Sequence, residues 1–193
     1  DAFFGREDVI EWVVDQLNNP NTSSVVLIGQ RRTGKTSLLY QLRNQLRVKQ
    51  EEPSYSDMLL VPVYFDLQDQ AKRKIGLLLR DLADTICGDL EKAGIGVTTI
   101  VEEDISEIAA SPSLFQKRFL PKVYRLLQPH ARLVLLLDEF DVLDGPAELV
   151  LDTESSARAC FPFLRLLMED DQRIACVIVI GRAADDLTID TRS

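Results

Sequence analysis

The 193-residue sequence contains few of the residues that bind zinc or form disulfides. It has one histidine, His130, and three cysteines, Cys87, Cys160 and Cys176, which lie far apart without a C-x-x-C pair. A zinc site needs several such ligands at close spacing, and a disulfide framework needs an even number of cysteines. The composition therefore argues against a zinc protein and against a disulfide-stabilised secreted domain.

Long apolar runs and a net positive charge are also missing. No stretch reaches the roughly 20 apolar residues that cross a membrane, and no signal sequence opens the chain. The formal charge of −9 does not suit a broad nucleic-acid-binding face. Much of the negative charge is local, as in EEDISE at 102–107, and is typical of a solvated surface. We expect a cytoplasmic protein without a membrane partner, and nothing in this domain indicates a nucleic acid.

Two apolar periodicities alternate along the chain. Helical spacing or capping signals predict helices at 7–19, 35–48, 72–92, from Ser111-Pro112 onwards, and at 161–170, whereas apolar runs predict strands at 25–29, 58–67, 133–140 and 174–182. Pro62 cannot donate to a strand ladder, so the strand at 58–67 should form a sheet edge or carry a bulge. Residues 93–111 are the least regular region.

The alternation predicts an α/β fold with a mostly parallel sheet covered on both faces. Ligands of such sheets bind at the carboxyl ends of the strands. Gly29, Asp138 and Arg182 stand at three of these ends. We see no internal repeat, and we expect residues 1–193 to form a single nucleotide-binding domain.

Residues 29–36 match the phosphate-loop pattern G-x-x-x-x-G-K-[ST] between a predicted strand and a predicted helix. Gly29 and Gly34 allow the backbone to approach a phosphate, and the N–H groups of the loop form an anion nest. Lys35 can reach the β- and γ-phosphates, and the Thr36 hydroxyl can bind magnesium. The pattern predicts a nucleotide site.

Basic residues gather around this loop, which indicates an anionic ligand. They are Arg31, Arg32, Lys35, Arg43 and Arg47. Arg31 and Arg32 have three possible roles that the sequence does not separate: they could bind phosphate oxygens, contact a neighbouring domain or subunit, or remain in solvent.

The predicted strand at 133–140 runs into Asp138-Glu139-Phe140-Asp141. A carboxylate at the tip of a buried strand needs a partner, and magnesium bridged to the nucleotide could partner Asp138. Glu139 could polarise a water for in-line attack on the γ-phosphate, and Asp141 is a weaker candidate for support. The GTPase motifs N-K-x-D and D-x-x-G are absent from the sequence, which favours ATP.

The phosphate loop GQRRTGKTSLL, the strand LVLLLDEF and the strand VIVIGR, in this order, resemble the additional-strand P-loop ATPases. More narrowly they resemble the STAND class of signal-transduction ATPases, relatives of AAA+ proteins and of the archaeal ATPase family. FFGRED, at 3–8, is similar to the F-x-G-R-E box that precedes the core in those families. The resemblance implies a three-layer fold with the sheet order 5-1-4-3-2, which places the strand at 58–67 on the edge.

The resemblance also implies roles for individual residues. Lys35 and Thr36 would be the Walker A pair, Asp138 and Glu139 the Walker B pair, and Arg182 the sensor of the γ-phosphate. An ordinary strand-end cation is the alternative for Arg182, and simple packing is the alternative for Phe3 and Phe4. The implied nucleotide-binding residues are Phe4, Gly5, Arg6, Gly29, Gln30, Arg31, Arg32, Thr33, Gly34, Lys35, Thr36 and Ser37. Thr36 and Asp138 are the implied magnesium ligands, and Glu139, Lys35 and Arg182 are the implied catalytic residues.

Members of these families continue into a fifth strand, a helical lid and winged-helix or repeat domains. The resemblance therefore implies a fragment of a larger protein that lacks its lid, with those domains and possibly further copies of the chain as partners. Three functions are compatible with this sequence: a slow, Mg-dependent ATPase that acts as a switch, an AAA+ motor or DNA loader, and a scaffold that binds nucleotide without hydrolysing it. The STAND-like phosphate loop and the arginine sensor favour the switch, and Glu139 argues against the scaffold.

Overall fold

A computed structural model describes residues 7–29, 33–51, 58–68, 70, 73–143 and 156–181. Within these residues four strands form one sheet in which every pair of neighbours is parallel, in the order β1-β4-β3-β2. The strands are β1 Ser24–Ile28, β2 Leu59–Asp66, β3 Ala131–Asp138 and β4 Ile174–Ile180. The α-helices are α1 Glu7–Asn18, α2 Lys35–Glu51, α3 Ile75–Lys92, α4 Glu102–Ser106, α5 Leu120–Leu126 and α6 Ser156–Asp170.

The central strands β3 and β4 are buried along their whole length, as expected for apolar runs in a sheet covered on both faces. Helices α1 and α2 cover one face, where Leu17 and Leu39 are fully buried. Helices α3, α5 and α6 cover the other face, where Leu79 and Val123 are fully buried. The predicted three-layer α/β fold is confirmed.

Strand β2 forms an edge of the described sheet, as Pro62 predicted. Leu59 N and Leu67 N donate to the carbonyls of His130 and Asp138, so odd-numbered donors face β3 and even-numbered positions face outward. Pro62 stands at an outward position and has no N–H. The outward N–H of Tyr64 donates to the Asp89 carboxylate of α3 at 3.4 Å. Two donors of this edge are thus not available to another strand, because Pro62 has no N–H and the N–H of Tyr64 is bonded to Asp89.

The irregular region contains more structure than the sequence predicted. Residues 102–109 form α4 and a 3₁₀ turn, Glu107–Ala109, and a π-helical segment, Phe115–Phe119, leads into α5. The interpretation of 102–107 as solvated surface is wrong for Asp104, which is buried and paired with Lys122 and Arg118. Burial alone would raise the pKa of Asp104, but bonds from Lys122 and the Val101 N–H, with the charges of Lys122 and Arg118, hold it below its usual value.

The other predicted elements are confirmed with shifted ends. The helix predicted at 161–170 begins at Ser156, and the strand predicted at 133–140 ends at Asp138, after which Phe140–Leu143 forms a 3₁₀ turn. In the described ranges no helix is both long and apolar enough to cross a membrane.

Candidate functional site

The predicted phosphate loop connects β1 to α2 at the carboxyl edge of the sheet. Gly29 N donates to the Ile180 carbonyl at 3.2 Å, so the loop leaves β1 beside the end of β4. Lys35 Nζ donates to the Gly29 carbonyl at 2.9 Å and spans the two ends of the loop. A Cβ on Gly29 would lie 3.4 Å from Thr33 Oγ1 and 3.6 Å from Lys35 Cδ, inside the loop. Gly34 has a φ of +78°, a left-handed conformation that glycine adopts without strain.

Helix α2 begins at Lys35, and its first backbone bond runs from Leu38 N to the Gly34 carbonyl. The N–H groups of Lys35, Thr36 and Ser37 therefore precede the helical ladder and are oriented as donors at its N-terminus. The first turn carries no acidic side chain that would neutralise the positive end of the helix dipole. This arrangement is suited to an anionic group such as a phosphate.

The interpretation of Arg43 and Arg47 as part of the charge around the loop is wrong. Their guanidinium groups bind the buried Asp89 carboxylate of α3 at 2.6 Å and 3.3 Å. They also lie eight and twelve residues beyond Lys35, about 12 and 18 Å along α2 at 1.5 Å per residue. Their charge compensates Asp89 and joins α2 to α3.

The acidic strand end lies at the same edge of the sheet. Asp138 ends β3 and is only 2% exposed. Its Oδ1 accepts a bond from the Glu139 N–H at 2.9 Å, and its Oδ2 accepts one from the Tyr64 hydroxyl at 3.0 Å. These two bonds satisfy a carboxylate that would otherwise be costly to bury.

Glu139 has a φ of +52°, the only described non-glycine residue with a positive φ. Its carbonyl accepts a bond from the Val142 N–H at 3.0 Å, the first turn of the 3₁₀ segment. A left-handed conformation is strained for a side chain with a Cβ, and such strain is concentrated at functional sites. The chain thus leaves β3 through a turn that begins at Glu139.

Asp141 is fully buried and links two strand ends. Its Oδ1 accepts a bond from the Gly181 N–H at 3.0 Å, directly after β4. The turn that follows β3 is therefore bonded to the residue directly after β4. That residue, Gly181, precedes the predicted sensor Arg182 in the sequence.

Two tyrosines near Asp138 were not predicted from the sequence. Tyr64 of β2 stacks on Tyr40 of α2, with ring centroids 4.7 Å apart and an interplanar angle of 27°. The pKa of Tyr64 is raised well above its usual value. Burial is the largest cause, and smaller contributions come from a hydrogen bond with Tyr40 and from the charge and hydrogen bond of Asp138. Tyr64 is therefore a neutral hydroxyl donor at physiological pH. One signal was in the sequence, because Tyr40 follows Thr36 by four residues and so shares its helix face.

The three cysteines are free and buried. Burial raises the pKa of the Cys160 and Cys176 thiols to about 12, and that of Cys87 to about 11. Since the thiolate is the reactive form, these cysteines are packing residues at neutral pH.

A profile of the AAA ATPase domain matches residues 2–180, almost the whole chain. The chain belongs to the AAA ATPase domain family. A comparison with curated proteins found no significant match. Family membership indicates ATP binding and hydrolysis in general, whereas the narrower STAND class remains a prediction.

The oxygen donors of this AAA ATPase domain fit magnesium. No group of three or more His, Cys, Asp or Glu side chains in the described part of the chain could hold a metal. The Thr36 hydroxyl and the Asp138 carboxylate are hard donors, and Mg²⁺ typically combines one or two such protein ligands with phosphate and water. When bound, the ion would neutralise charge on the phosphates.

Several predicted site residues lie outside the described residues of the AAA ATPase domain: Phe4, Gly5, Arg6, Gln30, Arg31, Arg32 and Arg182. Of the others, Gly29, Thr33, Gly34, Lys35, Thr36 and Ser37 form the loop and the start of α2. Asp138 and Glu139 lie at the same edge of the sheet, because β1 and β3 both run parallel to β4.

Proposed function

We propose that this AAA ATPase domain is a regulatory switch of the STAND type, in which Mg-dependent hydrolysis of ATP controls conformation or oligomerisation. The observation that carries the proposal is the position of Lys35-Thr36 and Asp138-Glu139 at one edge of the sheet. This edge is where open parallel sheets bind their ligands.

Each of these residues has a role in the proposed reaction. The N–H groups at the start of α2 and Lys35 would hold the phosphates, while Thr36 and Asp138 would hold a magnesium ion that neutralises phosphate charge. Glu139 orients a water and accepts its proton as the water oxygen attacks the γ-phosphorus. The bond from phosphorus to the β,γ-bridging oxygen breaks, which gives inorganic phosphate and an ADP that stays in the site. Arg182 would contact the γ-phosphate by its predicted role.

The bond between Asp141 and Gly181 supports a switch rather than a site for chemistry alone. Any movement of Glu139 on loss of the γ-phosphate would displace Asp141, two residues away, and with it the end of β4. Such a connection would convert the state of the nucleotide into a change of conformation.

Lys35→Ala tests the phosphate site. We expect the variant to lower ATP affinity at least about 100-fold, because it removes a charged donor to the phosphates. Calorimetry of ATP binding to wild type, Lys35→Ala and Lys117→Ala checks this, since Lys117 is an exposed lysine on the π-helical segment. Unchanged affinity in Lys35→Ala would contradict the assignment of the loop.

The nucleotide content of freshly purified protein distinguishes the switch from the motor. The protein is denatured, and the released nucleotide is identified and quantified by ion-exchange chromatography. We expect close to one ADP per chain, because a switch keeps its product until a signal releases it. An empty site with rapid steady-state turnover would favour a continuously cycling motor, and bound ATP that is never hydrolysed would favour a scaffold.

A further inference from the structure

Tyr64 fixes the orientation of Asp138. Asp66 pairs with Asp138 across β2 and β3, so Tyr64 lies two residues before that pair. Its hydroxyl bonds Asp138 Oδ2 at 3.0 Å, while the Glu139 N–H bonds Oδ1. With a donor on each oxygen, the carboxylate cannot rotate without breaking a hydrogen bond in a buried environment.

Tyr40 connects Tyr64 to the phosphate loop. It lies one helical turn after Thr36 on α2, and its ring stacks on Tyr64. The two predicted metal ligands, Thr36 and Asp138, belong to different elements of the fold. The stacked rings form a continuous side-chain path between those elements.

We propose that the Tyr40–Tyr64 pair positions Asp138 for the divalent cation that accompanies the nucleotide. The inference rests on the proposed function and extends it to two residues that do not contact the reacting atoms. Residues that hydrogen-bond a metal ligand commonly set the affinity for the metal. Removing the Tyr64 hydroxyl should therefore weaken the metal site and leave the phosphate loop intact.

Tyr64→Phe tests the proposal because it keeps the ring and removes only the hydroxyl. ADP affinity is measured by calorimetry in EDTA and across a series of Mg²⁺ concentrations. We expect equal affinities of wild type and variant in EDTA, and an increase of about tenfold in the Mg²⁺ concentration that gives half the full effect. ATP turnover by the variant should recover at high Mg²⁺.

Tyr124→Phe is the matched control, since it removes the hydroxyl of a second half-buried tyrosine, which lies in α5. We expect it to keep the Mg²⁺ dependence of wild type. An unchanged Mg²⁺ dependence in Tyr64→Phe would overturn the proposal. A tighter response to Mg²⁺ would also overturn it, because the hydroxyl would then compete with the cation.

A second variant keeps the test decisive if Tyr64→Phe does not fold. Tyr40 is substantially exposed, so Tyr40→Ala removes the stack at little cost to the core. A shift in Mg²⁺ dependence in the same direction supports the proposal, and no shift overturns it. If wild type itself binds no ADP, the proposed function fails. If wild type binds ADP and the variants show the same Mg²⁺ dependence as wild type, only the inference about the tyrosine pair fails.

Discussion

At the scale of single residues, the backbone of Glu139 is the most unusual feature of the candidate site. A left-handed φ costs about 1–2 kcal/mol for a residue with a Cβ. This free-energy cost falls on Glu139, the residue that the proposed reaction assigns as general base. Backbone strain at this position is consistent with a glutamate that is retained for its catalytic role although its conformation lowers the stability of the fold.

Comparison of Glu139→Gly with Glu139→Ala isolates the backbone strain, because both variants remove the side chain and only glycine is relaxed at this φ. We expect the glycine variant to be more stable than the alanine variant by about 1 kcal/mol. Urea unfolding of both measures the difference. Equal stabilities would show that the left-handed conformation carries no appreciable strain in solution.

Glu139→Gln addresses the chemistry at the same position. The amide preserves size and backbone but cannot accept the proton of the attacking water. We expect ATP binding close to that of wild type and turnover lowered by about 100-fold or more. Turnover of the variant at the wild-type rate would place the base at another residue.

At the scale of elements, the packing of α3 depends on one glycine. A Cβ on Gly76 would lie 2.3 Å from the Ala109 carbonyl oxygen and 2.9 Å from its carbon. The 3₁₀ turn Glu107–Ala109 therefore approaches α3 at a distance that excludes any side chain. Gly88 of the same helix has open space at its Cβ position.

Gly76→Ala should destabilise the domain by about 1–3 kcal/mol, since the overlap is with backbone and must move a whole segment. Gly88→Ala, the matched control, should stabilise it by about 0.5–1 kcal/mol through its effect on helix propensity. Urea unfolding of both variants measures these free energies. A stability of Gly76→Ala at or above that of wild type would contradict the close packing of the turn.

The sequence predicted those elements whose residues carry their own signal. Apolar runs marked β3 and β4, Pro62 marked the edge, and G-x-x-x-x-G-K-[ST] marked the start of α2. Contacts between distant segments carried no such signal. The pairing of Arg43 with Asp89 depends on how α2 and α3, which cover opposite faces of the sheet, both reach the edge strand β2, and the Tyr40–Tyr64 stack depends on how α2 crosses β2.

At the scale of the whole molecule, one buried arginine joins three segments. Arg132 of β3 is 1% exposed, and its guanidinium donates only to backbone carbonyls among its described bonds. The acceptors are Leu17, Asn19, Thr22 and Ile174, at 2.7–3.3 Å. A cation at the carboxyl end of α1 also suits the helix dipole.

Arg132→Met should lower the free energy of unfolding by about 3 kcal/mol, because it leaves several buried carbonyls without donors. Arg125→Met changes an exposed arginine of α5 and should stay within about 0.5 kcal/mol of wild type. Chemical denaturation compares the two. A small effect of Arg132→Met would indicate that water replaces the guanidinium at these carbonyls.

Two blocked donor positions on the β2 edge have a consequence for association with other chains. A foreign strand pairs with a sheet by adding to a row of unpaired backbone groups, and here Pro62 offers no donor while Asp89 occupies that of Tyr64. Among the described strands the opposite edge belongs to β1, where Val26 and Ile28 are exposed. Aggregation or partner binding by strand addition is therefore disfavoured at β2, whereas β1 is the edge where the predicted order 5-1-4-3-2 places a fifth strand.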